Sequence, residues 1–258
     1  MSDASLVPEA SPRPDVARLA FADLNACLRA GWADFRRAPQ FGLFFSGVYV
    51  LGGFLMVLLS AGHVTWVLAT SLGFPLAAPF AAVGLYEVSR RLEQGQALDW
   101  YRVLGVVWDE RKRQIPWMGA IIVIYFLFWT FLAHMIFALM MGVSQMRSVT
   151  LEAFLTPEGL ALVAVELVVG AVAAFILFAL TVVSLPLLLD KEVDFITAML
   201  LSVEVVKTNP AVMLAWAAII AVLSLVALAP AFLGLIVVLP VLGHATWHLY
   251  RKALVHRS

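Results

Sequence analysis

A stretch of 40 residues near the C-terminus decides the fold: Ala211–Tyr250, AVMLAWAAIIAVLSLVALAPAFLGLIVVLPVLGHATWHLY. It contains no Asp, Glu, Lys or Arg. As one continuous helix it would be about 60 Å long, which is twice the hydrocarbon thickness of a bilayer. We therefore expect two membrane-spanning helices joined by a turn at Ala229–Pro230.

The composition of the whole chain extends this interpretation. Of its 258 residues, 63% are apolar and 13% are charged, about half the charged fraction of roughly 25% that is typical of soluble domains. So little polar surface cannot coat a water-soluble particle, and the sequence predicts an integral membrane protein. The 17 basic and 17 acidic side chains balance, which argues against nucleic acid as a partner, and the single Cys27 excludes an internal disulfide.

Working outward from the C-terminus, the sequence predicts an all-α, polytopic membrane helical bundle. Six transmembrane helices form three hairpins, and each hairpin is preceded by a cytoplasmic amphipathic or interfacial helix. A flexible cytoplasmic tail over residues 1–14 is expected to precede a single membrane domain over residues 15–258. The six predicted spans cover residues 41–59, 64–86, 116–141, 160–189, 211–228 and 231–250.

The distribution of basic residues gives the orientation. Of the 17 Lys and Arg residues, all except Arg147 lie on the side that carries both termini. Cytoplasmic loops are enriched in Lys and Arg, so both termini are predicted to be cytoplasmic, in the inner membrane of a bacterium. No cleavable signal peptide is expected, because the first 22 residues lack an apolar segment.

An internal repeat underlies the three hairpins. Aligning Pro39 with Pro210 also aligns Asp23 with Asp194, and each Asp begins a helical segment that leads through the Pro into a span. A weaker third copy runs over residues 99–116. We interpret this as three parallel repeats around an axis along the membrane normal.

The segment before the first span is the clearest amphipathic helix. Its apolar residues recur at steps of three or four: Val16, Ala20, Leu24, Cys27, Leu28, Gly31 and Phe35. We expect this apolar side to lie in the lipid interface and the basic side to face water and anionic headgroups. Such a helix would act either as a lipid sensor or gate, or as an anchor that covers the inner end of the bundle. The basic side comprises Arg18, Arg29, Arg36 and Arg37.

Polar side chains within the spans are candidate functional groups, because they are costly in lipid. Glu166 shares a helix face with Thr181 and Ser184, and that face should point into the bundle. On the third span, His134 follows Thr130 by one turn, at a depth similar to that of Glu166. A pair formed by Glu166 and His134 would act either as a proton relay or as a structural hydrogen-bonded strut.

His244 and His248 are spaced i, i+4 on the last span, which presents two imidazoles on one helix face. They are candidate haem or metal ligands, and the alternative is packing or headgroup contact. No phosphate-binding, metalloprotease or serine-hydrolase motif occurs. We therefore expect a protein that is not an enzyme and has no cofactor.

Four stretches resemble a bacterial family of predicted integral membrane proteins of unknown function: residues 30–39 (AGWADFRRAP), 83–91 (VGLYEVSRR), 184–190 (SLPLLLD) and 240–251 (PVLGHATWHLYR). The resemblance implies a multi-span inner-membrane protein and gives no catalytic residues. Some members of the family are labelled cytochrome c oxidase subunit I. That subunit requires more spans and more histidine ligands than this sequence offers with its 5 His residues.

Three functions remain open at the level of sequence. The first is a small-solute or ion permease, or an accessory of an envelope complex. The second is a redox subunit that binds haem or metal through His244 and His248. The third is a membrane scaffold without a solute path. The expected partners are the lipid bilayer and either a second copy of the chain or another membrane protein.

Overall fold

The computed structural model describes residues 13–59, 64–144, 150–230 and 232–255. It describes the side chains of these residues except those of 53, 55–77 and 151. It is almost entirely helical. The helices are α1 (Phe21–Arg37), α2 (Pro39–Leu59), α3 (Val64–Glu93), α4 (Trp100–Glu110), α5 (Ile115–Met141), α6 (Pro157–Thr181), α7 (Ser184–Asp190), α8 (Phe195–Thr208), α9 (Pro210–Leu228) and α10 (Leu235–Ala253). Two short strands, β1 (Asp15–Val16) and β2 (Leu254–Val255), pair antiparallel.

The prediction of an all-α protein is confirmed, and each of the six predicted apolar segments is helical. The predicted tail over residues 1–14 lies outside the described residues except for its last two. Two segments differ from the prediction: the helix of the segment over residues 231–250 begins only at Leu235, and the helix over residues 160–189 is broken at Val182–Val183. Pro186 has no N–H to donate to the Val182 carbonyl and its ring crowds that carbonyl, so the chain restarts as α7.

Three helical segments in the described part of the chain are long and apolar enough to cross a membrane: Ile115–Met141, Pro157–Asp190 and Pro210–Leu228. Their apolar side chains are largely uncovered, and exposed examples are Phe128, Leu167 and Leu225. Large exposed apolar faces of this kind fit a lipid environment and are costly in water. The crossing of six helices remains a prediction.

The repeated unit is visible in the backbone. After both α1 and α8, a single residue separates the end of the helix from a Pro that begins the next helix. The residue at the break has φ −138° and ψ 53° at Ala38, and φ −128° and ψ 51° at Asn209. The third break differs, because a four-residue turn over 111–114 joins α4 to α5.

Burial follows the same repeat. Five buried positions of α1 and the residue after it have buried counterparts 171 residues later, in α8 and the residue after it. The pairs are Cys27 and Ala198, Gly31 and Ser202, Asp34 and Val205, Phe35 and Val206, and Ala38 and Asn209.

The contacts between helices follow a cyclic order. Each of the three preceding helices packs on a helix that belongs to a neighbouring unit: α1 on α10, α4 on α3, and α8 on α6 and α7. The helices α3, α7 and α10 also pack on one another. This order agrees with three units around a common axis, although the arrangement as three transmembrane hairpins remains a prediction.

The packed core lies at the end of the helices where the Lys and Arg residues are concentrated, which is the basic end. Several of the largest fully buried side chains are there, including Trp247, Tyr250, Leu187 and Leu201. The long apolar helices continue from this body towards the opposite end, where Leu162 is one of the few fully buried large residues. We call this part, formed by α1, α4, α7, α8 and the C-terminal halves of α3 and α10, the basic-end body.

The position of α1 corrects the interfacial expectation. Its apolar face packs on α10, so closely that a Cβ on Gly31 would lie 2.6 Å from the Ala245 nitrogen and the Val241 oxygen. Protein therefore covers the face that we expected in lipid. An amphipathic pattern shows that one face is buried without showing what buries it.

Candidate functional site

The predicted polar face of α6 is turned inward. Glu166 and Thr181 are half-buried, and Ser184 on α7 is buried. The two hydroxyls are satisfied within their own helical segment, since Thr181 donates to the Leu177 carbonyl and Ser184 to the Leu180 carbonyl. Glu166 makes no hydrogen bond or ion pair with any other described residue.

The predicted pair of Glu166 and His134 is not formed. Contacts of α5 with α6 place the two at similar depth, because Tyr125 donates to the Ala173 carbonyl (2.6 Å) and Trp129 lies against Gly170. His134, however, is exposed on the outer face of α5. It follows Trp129 by five residues, about 140° around the helix, so equal depth does not bring it to Glu166.

His134 and Thr130 both bond to their own helix. The His134 Nδ1 atom lies 2.7 Å from the Thr130 carbonyl oxygen, and the Thr130 hydroxyl donates to the Phe126 carbonyl. Side chains that bond the carbonyl four residues earlier need no partner on another helix. Neither residue therefore lines a polar path between α5 and α6.

His244 and His248 belong to a buried hydrogen-bonded cluster that joins α1, α3 and α10. Ser89 Oγ lies 2.8 Å from Asp34 Oδ2 and 2.8 Å from His244 Nδ1. His248 Nε2 lies 2.7 Å from the same Asp34 oxygen. Asp34 is 5% exposed, while Ser89 and His244 are fully buried. We call these four residues the Asp34 cluster.

Hydrogen-bond geometry assigns the protons in the Asp34 cluster. Ser89 has one hydroxyl hydrogen, which it donates to the carboxylate of Asp34, so His244 donates its Nδ1–H to the Ser89 oxygen. His248 donates its Nε2–H to Asp34. The Nε2 atom of His244 then carries a lone pair that has no partner among the described residues.

The cluster does not fit haem or metal ligation by His244 and His248. His248 commits its Nε2 to Asp34, His244 commits its Nδ1 to Ser89, and packed side chains surround His244 on all sides. No group of three or more His, Cys, Asp or Glu side chains in the described ranges could hold a metal ion. The i, i+4 spacing instead lets His248 reach Asp34 of α1 and His244 reach Ser89 of α3.

The Asp34 cluster also lacks the features of a serine nucleophile, although it contains Ser, His and Asp. A catalytic serine gives its proton to a histidine and must reach a substrate. Ser89 is fully buried and donates directly to the carboxylate. The cluster can therefore position three helices, and it offers no route for acyl transfer.

A second set of charged residues lies at the centre of the basic-end body, where α3, α7 and α10 end. Each guanidinium is paired, and three guanidiniums meet three carboxylates. Fully buried Glu87 lies 2.6 Å from both Arg90 and Arg91. Arg251 lies 3.1 Å from Glu93 and 3.7 Å from Asp190. We call these six residues the central charge layer.

Aromatic side chains of α10 attach to this layer. Trp247 donates its indole N–H to Glu93 at 3.0 Å, and the Tyr250 hydroxyl donates to Asp190 at 2.7 Å. The arginines stand in the last turns of α3 and α10, where the helix dipole favours positive charge. The layer is therefore electrically balanced and internally hydrogen-bonded.

The predicted basic side of α1 is present. All four arginines are exposed and form no ion pair with another described residue: Arg18, Arg29, Arg36 and Arg37. The exposed side chain of Trp32 lies on the same side. This surface is open to an anionic partner, while the opposite face of α1 holds the Asp34 cluster.

Sequence reasoning missed Asp34 and Ser89. A signal for Asp34 exists, because it follows Gly31 by three residues and Cys27 by seven, which places it on the apolar side of an amphipathic helix. A charged residue on such a face must find a partner. Ser89 offers no comparable signal.

Comparison with known proteins gives one match. Residues 65–190 match a family described as "Predicted integral membrane protein (DUF2189)". No curated protein and no solved structure matches the chain. The matched segment runs from α3 to α7 and contains Ser89, His134 and Glu166. Residues 65–190 therefore match this family of predicted integral membrane proteins, and the resemblance seen in the sequence is confirmed.

Proposed function

We propose that this protein is a non-enzymatic scaffold or accessory protein of the bacterial inner membrane, in which the spans hold the basic-end body at the cytoplasmic surface. The observation that carries the proposal is the central charge layer. A solute path along the common axis would have to cross three paired guanidiniums and three carboxylates, and the two pairs that Arg90 and Arg91 form with fully buried Glu87 are costly to break.

The placement of surface and core supports the same function. Rigid packing and buried polar contacts are concentrated in the basic-end body, while the hydroxyls of Thr130, Thr181 and Ser184 bond to their own helical segments. The exposed arginines of α1 offer a positive surface with Trp32 among them. Aromatic and Arg side chains are enriched where proteins bind other proteins.

The test is site-specific photocrosslinking in membranes. A photoactivatable amino acid replaces Trp32 in one variant and Leu139 in the control, since both are exposed but Leu139 is at the far end of α5. We expect a discrete protein adduct from position 32 and only lipid adducts from position 139. Equal adducts from the two positions, or none from position 32, would contradict a scaffold that works through the basic-end body.

A second candidate, a proton-coupled permease, is favoured by Glu166 alone. A carboxyl that faces other helices within the membrane and has no partner is a default functional candidate. The permease predicts proton flux in proteoliposomes that Glu166→Gln abolishes. Exposed Glu158 at the start of α6 gives the matched control Glu158→Gln, which should retain flux. Proton flux equal to that of empty liposomes would contradict the permease and leave the scaffold as the proposed function.

A further inference from the structure

Helix α4 exposes an aromatic face that no described part of the chain covers. Tyr101 is 90% exposed and Trp108 is 62% exposed, and Leu104 lies between them at helical steps of three and four. The opposite face is buried, because Val103 is 0% and Glu110 is 3% exposed. The outer face of this helix is thus apolar and uncovered, which is unfavourable if it meets water.

The contacts of α4 fix its height along the molecule. At its start, Trp100 packs on Phe41 and Phe44 of α2, with ring centroids 4.3 Å and 5.2 Å apart. At its end, the four residues 111–114 lead into α5, whose candidate span begins at Ile115. Both ends of α4 are thus held level with the points where apolar helices begin. The 11 residues of α4 form a helix about 16 Å long that runs from one of these points to the other.

Positive charge accompanies this face. The guanidinium of Arg111 lies over the Trp108 ring, 3.3 Å from its centroid. Arg111 and Lys112 are exposed and form no ion pair with another described residue, whereas Arg113 is bound by Glu110 and Glu192. Two free cations beside exposed aromatic rings are the combination that interfacial helices present to anionic headgroups.

An open groove of about 720 Å³ lies along the same helix. Its walls include Tyr101, Trp108, Arg91 and Arg102. Its aromatic and apolar walls suit the glycerol region of a phospholipid, while Arg91 and Arg102 are already paired with Glu87 and Asp99.

We propose that α4 is an interfacial helix that inserts Tyr101, Leu104 and Trp108 among the headgroups of the cytoplasmic leaflet and binds anionic phospholipid phosphates through Arg111 and Lys112. The bilayer is the occupant because both ends of α4 are fixed where apolar helices enter it. A protein partner would have to reach the same level and displace lipid already there.

The experiment uses the full chain in nanodiscs, with Cys27→Ala removing the only cysteine. Spin labels are placed one at a time by Tyr101→Cys, Leu104→Cys and Trp108→Cys. The control is Gln94→Cys, an exposed position in the turn after α3. We expect the three α4 labels to collide more often with oxygen than with a water-soluble nickel complex, and the control label to show the opposite preference.

The phosphate contact is tested by lipid composition. Discs that contain phosphatidylglycerol should place the Leu104 label deeper than discs of phosphatidylcholine alone, and Arg111→Gln with Lys112→Gln should remove that difference. Labels that meet nickel as often as the control would place α4 in water and overturn the proposal. Labels shielded from both oxygen and nickel would indicate a protein partner and overturn it too. Equal depth in both lipids would overturn the anionic phosphate contact.

Discussion

The helix pairs α1–α2 and α8–α9 share one plan and differ in what fills it. Both break at the same backbone conformation before a Pro, and five equivalent positions are buried in each. At one of these positions the first pair has Asp34 and the second has Val205. The shared plan therefore does not require a buried charge. The Asp34 cluster is an addition to one unit, which is why we regard it as the more informative site.

The two pairs also differ in how closely the preceding helix approaches its partner. Gly31 lets the backbone of α1 touch the backbone of α10, whereas the counterpart Ser202 has a side chain and accepts a hydrogen bond from the Val183 N–H at 3.3 Å. Close backbone approach brings α1 near enough for Asp34 to reach Ser89 and His248. The Gly and the Asp of the first unit thus depend on each other.

Placing the aspartate of the first unit at position 205 of the second should have the largest effect on stability. Val205→Asp would bury a carboxylate in an apolar cluster, and we expect the free energy of unfolding to fall by about 4 kcal/mol or more. Cys27 is a built-in reporter, since it is fully buried and burial raises the pKa of its thiol to about 11. Its reaction with a thiol dye during heating in detergent measures unfolding.

The control for this substitution is Val205→Thr, which keeps the shape of the side chain without a charge and should cost less. A wild-type melting curve for Val205→Asp would show that position 205 has a polar partner and is not the apolar counterpart of Asp34.

The reverse exchange, Asp34→Val, should cost about 3 kcal/mol, because the fully buried Ser89 hydroxyl and the half-buried His248 ring lose their acceptor. Adding Ser89→Ala removes one of these orphaned donors and should recover part of the loss. The same thiol-dye assay measures both variants. If Asp34→Val and Asp34→Asn cost equally little, the cluster does not hold α1 in place.

Gly31→Ser, which introduces the counterpart's residue, should lower the free energy of unfolding by about 2 kcal/mol, because the new side chain meets the backbone of α10. Gly47 in α2 is the matched control, since nothing lies within 4 Å of a Cβ placed there. Gly47→Ser should leave stability unchanged or slightly raised. Equal effects at the two glycines would argue against the close contact of α1 with α10.

The smallest effect concerns the aspartates at the starts of the two helices: Asp194 is the N-cap of α8, and Asp23 lies in the first turn of α1. The Thr197 hydroxyl and N–H bond to Asp194 and lower its pKa, whereas Lys252 lowers the pKa of Asp23 with help from the Ala20 N–H. Asp194→Ala should cost about 1 kcal/mol at neutral pH through loss of the helix cap. Asp23→Ala should cost less, and its effect should shrink in high salt.

The pH dependence has a definite sign. Both carboxylates have lowered pKa values in the folded protein, so their contribution is full above about pH 4 and is lost as the pH falls through the folded pKa. Melting curves of each variant and the wild type at neutral and acidic pH, in low and high salt, measure this. An Asp194→Ala penalty that persists at pH 2 would show that its cap is not the cause.

Much of the architecture could be predicted because it depends on local signals. Pro39 and Pro210 mark helix starts, and the apolar runs after them fix helix length. The partner of a helix face has no local signal, so the apolar side of α1 was assigned to lipid when α10 covers it. His134 shows the same limit, because its depth follows from counting residues while its direction depends on which face of α5 meets α6.

The pairing of Asp15 with Val255 and of Val16 with Leu254 brings the first and last described stretches of the chain side by side. Because the three units also pack in a cyclic order, the fold does not depend on which unit comes first in the chain. A circular permutant that links residue 255 to residue 13 through a short peptide and opens at Gly95 should assemble with the same neighbours for every helix.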